Sequence, residues 1–187
     1  MGRLSIVLML CSAVIAIPVV EKGPKTVEVW FNELGHAKEK VTKLHFYFHD
    51  VVSGKNPTAY TVAKSNITDI SPTGFGLVRM MDNALTAGPK PTSKIVGRAQ
   101  GIYGSADLEG IGLLLTMNFV FTDGTYNGST LSLLGRNPIL DRYREMPIIG
   151  GSDVFRLARG IATAKTFTFN VTSENAIVEY HVIVAHY

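Results

Sequence analysis

Apolar and polar positions alternate with a period of two along most of this chain. Over residues 113–121, Leu113, Leu115, Met117, Phe119 and Phe121 fall on one side, and Leu114, Thr116, Asn118 and Val120 on the other. Alternation of that kind predicts a strand with one buried face, not a helix. The Asp123-Gly124 pair tolerates positive φ and predicts a hairpin into a second strand over 126–134. Gly135-Arg136-Asn137-Pro138 ends that strand, because proline cannot donate to a ladder. Asp141, Arg142, Arg144 and Glu145 then crowd together ahead of the apolar stretch Met146-Pro147-Ile148-Ile149. A charge cluster so placed is either a solvated loop or the mouth of a pocket.

The same period recurs elsewhere. Over 44–52, Leu44, Phe46 and Phe48 alternate with His45, Tyr47 and His49. Further strands are predicted over 58–63, over 76–81 with Asp82-Asn83 closing it, over 95–103, over 155–171 with an interruption at Gly160, and over 176–187. Gly54-Lys55-Asn56-Pro57 and Gly88-Pro89-Lys90-Pro91 punctuate the series. No segment sustains a 3.6-residue apolar period, so helices are expected to be minor. Seven to nine short strands with Gly/Pro turns predict a sandwich or an antiparallel barrel, and periodicity alone does not choose between them.

Composition narrows the functional classes. A chain of 187 residues favours one domain with a sizeable core. The net charge of +3 is spread without a basic run, which argues against nucleic-acid binding. Residues 1–16 combine Arg3, a short apolar run and small residues near Ala16, the signature of a secretory signal peptide. The run is too short to span a bilayer, so no membrane anchor is expected, and the predicted location is extracellular. Loss of Arg3 from the 18 basic residues leaves 17 against 15 acidic ones, and the only cysteine, Cys11, departs as well. The mature fold would then rest on core burial and sheet closure, without disulfides. Residues 17–42 read as an arm, flexible around Glu21–Lys25 and charged with alternating sign from His36. Secretion gives meaning to three Asn-x-Ser/Thr glycosylation signals, at Asn66, Asn127 and Asn170.

Several chemistries lack a motif. His45 and His49 lie about 13 Å apart along one strand, too far for a shared ion, and His181 and His186 face opposite sides, so no metal site is expected. Gly-x-Gly pairs at Gly74 and Gly110 lack the third glycine of a phosphate cradle, and no Gly-x-Ser-x-Gly elbow or cofactor motif occurs. What remains is a set of polar residues at strand ends: Asp50, Asp82, Tyr103, Asp141, Arg142 and Arg144. An acid placed as Asp50 is, at the end of an apolar strand, is either a turn former or a group held near apolar walls; in the second case desolvation raises its pKa and it can deliver a proton. A phenol such as Tyr103 assists proton transfer, and an arginine fork such as Arg144 holds substrate oxygens. Phe46, Phe48, Phe119, Phe121, Phe167 and Phe169 are candidates for aromatic walls, or simply for core.

Four blocks together resemble plant dirigent proteins: Phe46-Tyr47-Phe48-His49-Asp50, Gly97-Arg98-Ala99-Gln100-Gly101-Ile102-Tyr103, the stretch 112–151, and Phe155-Arg156-Leu157-Ala158-Arg159-Gly160. The resemblance implies an all-β, eight-stranded antiparallel β-barrel of the dirigent/allene-oxide-cyclase kind over 43–187, assembled as a homotrimer. It implies a pocket in which Asp50, Tyr103 and Arg144 act on a small phenolic substrate, without a cofactor. Asp82, Arg98, Phe48, Phe121 and Asn137 are the expected substrate contacts. In the main reading, an external oxidase, a laccase or peroxidase, makes phenoxy radicals and the barrel directs their coupling in lignan and other phenylpropanoid synthesis. Two features depart from that reading. Members that guide radical coupling tend to carry Asp where Asn137 stands. The Phe-Tyr-Phe-His-Asp block and the Arg144-Glu145-Met146-Pro147 strand start are closer to the branch that includes the pterocarpan synthases. Those enzymes lose water from an isoflavanol and close a ring through a quinone methide. A non-catalytic phenolic-binding protein of the cell wall or of defence is the third reading. Asp153 also replaces a glycine of the usual Gly-Gly-Thr-Gly turn, where positive φ would suit it less well.

Overall fold

A computed structural model describes residues 23–187. The leader 1–16, Cys11 and the first residues of the arm lie outside the described residues.

The chain divides into two compact units at Ala37/Lys38. The described part of the first is a helix, α1 (Pro24–Glu33), followed by a single 3-10 turn, Leu34–His36. Proline at the first helical position fits, since it lacks only an N–H that would have no partner there. The sequence reading treated this stretch as an arm. Val27, Val29 and Phe31 fall at spacings of two rather than three or four, which hid the helix.

The second unit is a nine-stranded antiparallel sheet: β1 (Lys40–Asp50), β2 (Ala59–Ala63), β3 (Val78–Thr86), β4 (Ile95–Ser105), β5 (Leu113–Phe121), β6 (Thr130–Asn137), β7 (Arg144–Ser152), β8 (Arg159–Phe169) and β9 (Ala176–His186). The order is β1-β9-β8-β7-β6-β5-β4-β3-β2. It closes because β1 also pairs with β3, through Tyr47↔Thr86, Phe48↔Leu85 and His49↔Ala84. Eight strands therefore form a barrel, and β2 is the extra one. Beyond the β1 contacts, the same edge of β3 takes up β2, through Ala59↔Met81 and Tyr60↔Met80. Closure removes the long unpaired edges that would otherwise invite aggregation.

Three strand boundaries differ from expectation for physical reasons. β1 begins at Lys40, because Thr42 turns inward to His186 (2.9 Å) while Val41 faces solvent, so that turn of the strand reads as polar. β3 runs through Asp82-Asn83 instead of stopping there, with Asp82 outside and Asn83 fully buried. β6 starts at Thr130, since a 3-10 turn, Gly124–Tyr126, lengthens the hairpin. The β6–β7 ladder ends at Leu133↔Ile148, next to Pro147, which has no N–H to give. Asp153 does adopt positive φ, at 53°.

The barrel interior has two unlike ends. At one end Phe155 packs against Phe121 (5.6 Å), Tyr126 (5.0 Å) and His186 (5.2 Å) and plugs the barrel. In the middle Tyr180 meets Phe46, Phe48 and Phe119 at 5.5 to 5.9 Å. Each fully buried phenylalanine there contributes on the order of 1.5–3 kcal/mol. The other end receives the last residues of β1, β4, β6 and β8 and the first of β3, β5, β7 and β9, because every neighbouring pair is antiparallel. Asp50, Arg79, Tyr103, Asn137 and Arg144 all come from these strand ends.

Candidate functional site

Period-two alternation sets which side chains enter the barrel. On β1 the inward series Phe46, Phe48 ends in Asp50; on β3 it is Arg79, Met81, Asn83, Leu85; on β4 it is Ala99, Gly101, Tyr103. Their inner ends meet. The Tyr103 hydroxyl donates to Asp50 Oδ2 (3.1 Å), and Asn83 Nδ2 donates to Asp50 Oδ1 (3.0 Å). Thr58 fixes the orientation of Asn83 by donating to its Oδ1 (2.5 Å). Arg79 is the direct cross-strand partner of Tyr103 and is anchored by Glu174 at 3.0 Å.

Burial dominates the electrostatics of Asp50 and pushes its carboxyl above the ordinary range. The Asn83 amide, the Tyr103 hydroxyl and the Arg79 charge pull it back only in part. Burial likewise lifts the Tyr103 phenol, reinforced by the Asp50 charge. Asp50 is thus a carboxyl biased towards keeping its proton, next to a phenol that also keeps its own.

Arg144 forms the second half of the site. It is 3 % exposed, and its Nε donates to Asn137 Oδ1 (3.2 Å) while Nη1 donates to Thr166 Oγ1 (2.8 Å). Both acceptors are neutral. Burial lowers the pKa of this guanidinium, and the Tyr180 phenol and the Asp141 carboxylate offset that only in part, so its charge is under-compensated. Tyr180 bridges the halves: its phenol, raised by burial, lies within electrostatic reach of both Arg144 and Asp50. A cleft of about 480 Å³, lined by His49, Asp50, Phe169, Asn175 and Ile177, opens beside this end. Asp50 is the member of the polar cluster that lines it, and its size suits a small aromatic ligand.

The structure thus brings together Asp50, Tyr103, Arg144 and Asn137, with Phe48 near them through Tyr180. It separates the remaining predicted contacts. Asp82 and Arg98 lie on the outer face of the barrel and pair with each other at 2.7 Å. In β3 and β4, Asp82 and Arg98 occupy the positions that alternation turns away from Asn83 and Ala99. Phe121 belongs to the aromatic plug at the opposite end. Phe167 packs outside against Tyr47 (5.5 Å), while Phe169 lines the cleft. Asn66, Asn127 and Asn170 are all exposed. Asn170 Oδ1 accepts from the backbone of Thr172 and Ser173, an Asx turn.

Sequence reasoning missed Arg79, Asn83, Thr58, Thr166 and Tyr180 as parts of the site. Arg79 and Asn83 carried a usable signal, since both stand in period-two register with Met81 and Leu85. Treating Asp82-Asn83 as a turn discarded it.

Comparison with known proteins identifies the family. The family model described as dirigent-like protein matches residues 41–185. Dirigent protein 21 of Arabidopsis thaliana is 55% identical over 152 residues, covering 81% of this chain and 80% of the relative. Pterocarpan synthase 1 of Glycyrrhiza echinata is 50% identical over 155 residues, covering 82% of each chain. A solved structure of a pterocarpan synthase dirigent protein superposes with a TM-score of 0.76 at 50% identity, covering 80% of this chain and 92% of that one. On this match across the whole barrel, the chain belongs to the dirigent family of plant proteins.

Proposed function

We propose that this protein binds a small phenolic at the polar end of its barrel and directs the stereochemistry of a ring closure that passes through a quinone methide. The observation that carries the reading is Asp50, a carboxyl held by Tyr103 and Asn83 at the edge of a ligand-sized cleft, where burial raises its pKa. In the favoured version the quinone methide arises by loss of water. Asp50 gives its proton to the departing benzylic hydroxyl, and the bond from carbon to that oxygen breaks. The para phenol loses its proton to solvent as its oxygen becomes a carbonyl, and Arg144 stabilises the charge that develops there. A second phenol of the substrate then attacks the carbon and returns its proton to Asp50, while the carbonyl oxygen is reprotonated from solvent. Acid and carboxylate alternate on one residue, and the net change is loss of one water.

Asn137 favours this version. It supplies Arg144 with a neutral acceptor, leaving the guanidinium charge for substrate, where an aspartate would neutralise it. In the second version, an external laccase or peroxidase generates phenoxy radicals, and the same acid and arginine manage the quinone methide that follows coupling. Identity to proteins named dirigent is as high as to those named pterocarpan synthase, which supports keeping it. Export through the 1–16 leader, use of the exposed asparagines for glycan and a trimeric assembly are proposed with either version.

The test is chiral chromatography of two parallel reactions with purified protein. One contains an isoflavanol and no oxidant; the other contains coniferyl alcohol and a one-electron oxidant. Ring-closed product in the first is expected. Enantiomeric excess confined to the second replaces water loss with coupling. Background in both removes the catalytic reading and leaves ligand binding.

A further inference from the structure

A second cluster lies on the outside of the barrel, on strands whose inner faces form the core. The β1–β9 ladder places His45 directly opposite His181, and Tyr47 directly opposite Glu179. The two imidazoles stack at 4.4 Å with planes 19° apart. Both turn the same nitrogen to the same atom: His45 Nε2 lies 2.9 Å and His181 Nε2 3.6 Å from Glu179 Oε1. The ligand atoms of all three residues lie within 4.8 Å of one another.

We propose that His45, Glu179 and His181 form a surface site for one divalent transition-metal ion of the borderline class, for which Zn²⁺ is the probe. Two imidazole nitrogens and one carboxylate oxygen is a donor set that suits zinc and its neighbours. At bonds of about 2.0–2.1 Å, tetrahedral ligand atoms stand roughly 3.3 Å apart. The two measured spacings, 2.9 and 3.6 Å, bracket that value. Coordination would need small rotamer shifts and no movement of the sheet.

Further features support the site. Its backbone is fixed, because directly opposed residues of an antiparallel pair hold their Cβ atoms about 5 Å apart. Tyr47 donates to Glu179 Oε1 at 3.1 Å, an orienting contact of the kind that tunes metal ligands. The histidines are exposed, which leaves the remaining coordination position to water or to a donor from another molecule. Spacing along the chain could not reveal this site, since it needs one histidine from each of two strands 136 residues apart in sequence (His45 and His181).

The experiment is isothermal titration of the untagged protein with ZnCl₂ in a non-chelating buffer. The same titration is run on His45→Gln, His181→Gln, Glu179→Gln and the control His36→Gln. One ion per chain is expected, with affinity reduced at least tenfold by each of the first three substitutions and unchanged by the control. Zn²⁺ should raise the melting temperature of the native protein and not of those three variants, because a ligand stabilises only the state that binds it. The variants' own melting curves without metal show that they fold. Absence of saturable binding, or binding that ignores all three substitutions, leaves a surface ion-pair cluster only and overturns the proposal.

Discussion

The Tyr103 hydroxyl lies 3.1 Å from Asp50 Oδ2, although the strands that carry them are not neighbours in the sheet. β3 stands between β1 and β4, pairing with one through Leu85 and with the other through Arg79. The contact therefore crosses the barrel interior over a third strand, and it exists only because the sheet closes. The acid and the phenol are brought together by topology, and Asn83 on the intervening strand completes the set by donating to the other Asp50 oxygen.

Asp50→Asn preserves shape and removes the acid. The new amide oxygen accepts from Asn83, and its N–H₂ donates to the Tyr103 oxygen. Turnover, followed by chiral chromatography, should fall about 10²–10⁴-fold. The same substitution should stabilise the fold at neutral pH. Burial raises the folded carboxyl pKa, so the stability contributed by the neutral form is complete below the unfolded pKa and is lost as pH rises through the folded one. Asn escapes that loss. Melting temperatures of variant and native protein should differ at pH 7 and converge near pH 4, about the unfolded value. Full turnover in this variant would remove Asp50 from the mechanism.

Arg79→Met should move the basic limb of the pH–rate profile to higher pH. The Arg79 charge lowers the Asp50 pKa. Without it the carboxyl keeps its proton further into the alkaline range, and the protonated acid is the active form. Glu174→Gln releases the anchor of Arg79 and keeps the charge, so its limb should move less. Profiles of kcat/KM against pH for the three proteins provide the comparison. An unmoved limb in Arg79→Met would mean that another group sets it.

How much of this was legible in the sequence depends on whether a residue obeys the local period. The strand 113–121 was, because its inner positions are all large and apolar. Asp50 was, because it closes the inward series Phe46, Phe48. Asp82 and Arg98 were placed in the pocket although the same alternation turns them outward, and the adjacent Asn83 is the one that enters. Tyr180 sits on the inward face of β9 between Val178 and Val182, and nothing in that run distinguishes a core tyrosine from a site tyrosine. The pairing of His45 with His181 depends on register between the first and last strands, which no local period encodes.

Arg144→Met should separate function from stability. The methionine fills the space of the aliphatic stem and removes a cation whose burial is costly. Unfolding in urea should show a midpoint close to that of the native protein or above it. Turnover should fall about 10²–10³-fold, the usual cost of removing one charge-stabilising donor. Arg144→Lys keeps the charge but loses the fork that reaches Asn137 and Thr166 together, so it should recover only part of the activity. Equal loss of stability and turnover in Arg144→Met would make this arginine a structural residue.

Gly160→Ala tests how the wall of the barrel supports its site. Gly160 pairs with Val184, and a Cβ at that position would stand 2.1 Å from the Ile183 carbonyl oxygen and 2.8 Å from Val184 Cα. Both obstacles are backbone of the next strand, so no side chain can swing aside. Glycine is needed here for close approach. Relief requires β8 and β9 to part, which breaks ladder hydrogen bonds and costs about 3 kcal/mol or more. Gly150→Ala is the contrast, since nothing stands within 4 Å of its added methyl; a surface change of that kind stays within ~1 kcal/mol. Urea unfolding measures both. The strain at Gly160 enters β9, and β9 pairs with β1 as far as Asp50↔Ala176, so Gly160→Ala should also lower turnover with Asp50 chemically intact. If turnover stays native while stability falls, the polar end is held by β3 and β4 alone, and closure through β9 contributes to the fold without positioning the acid.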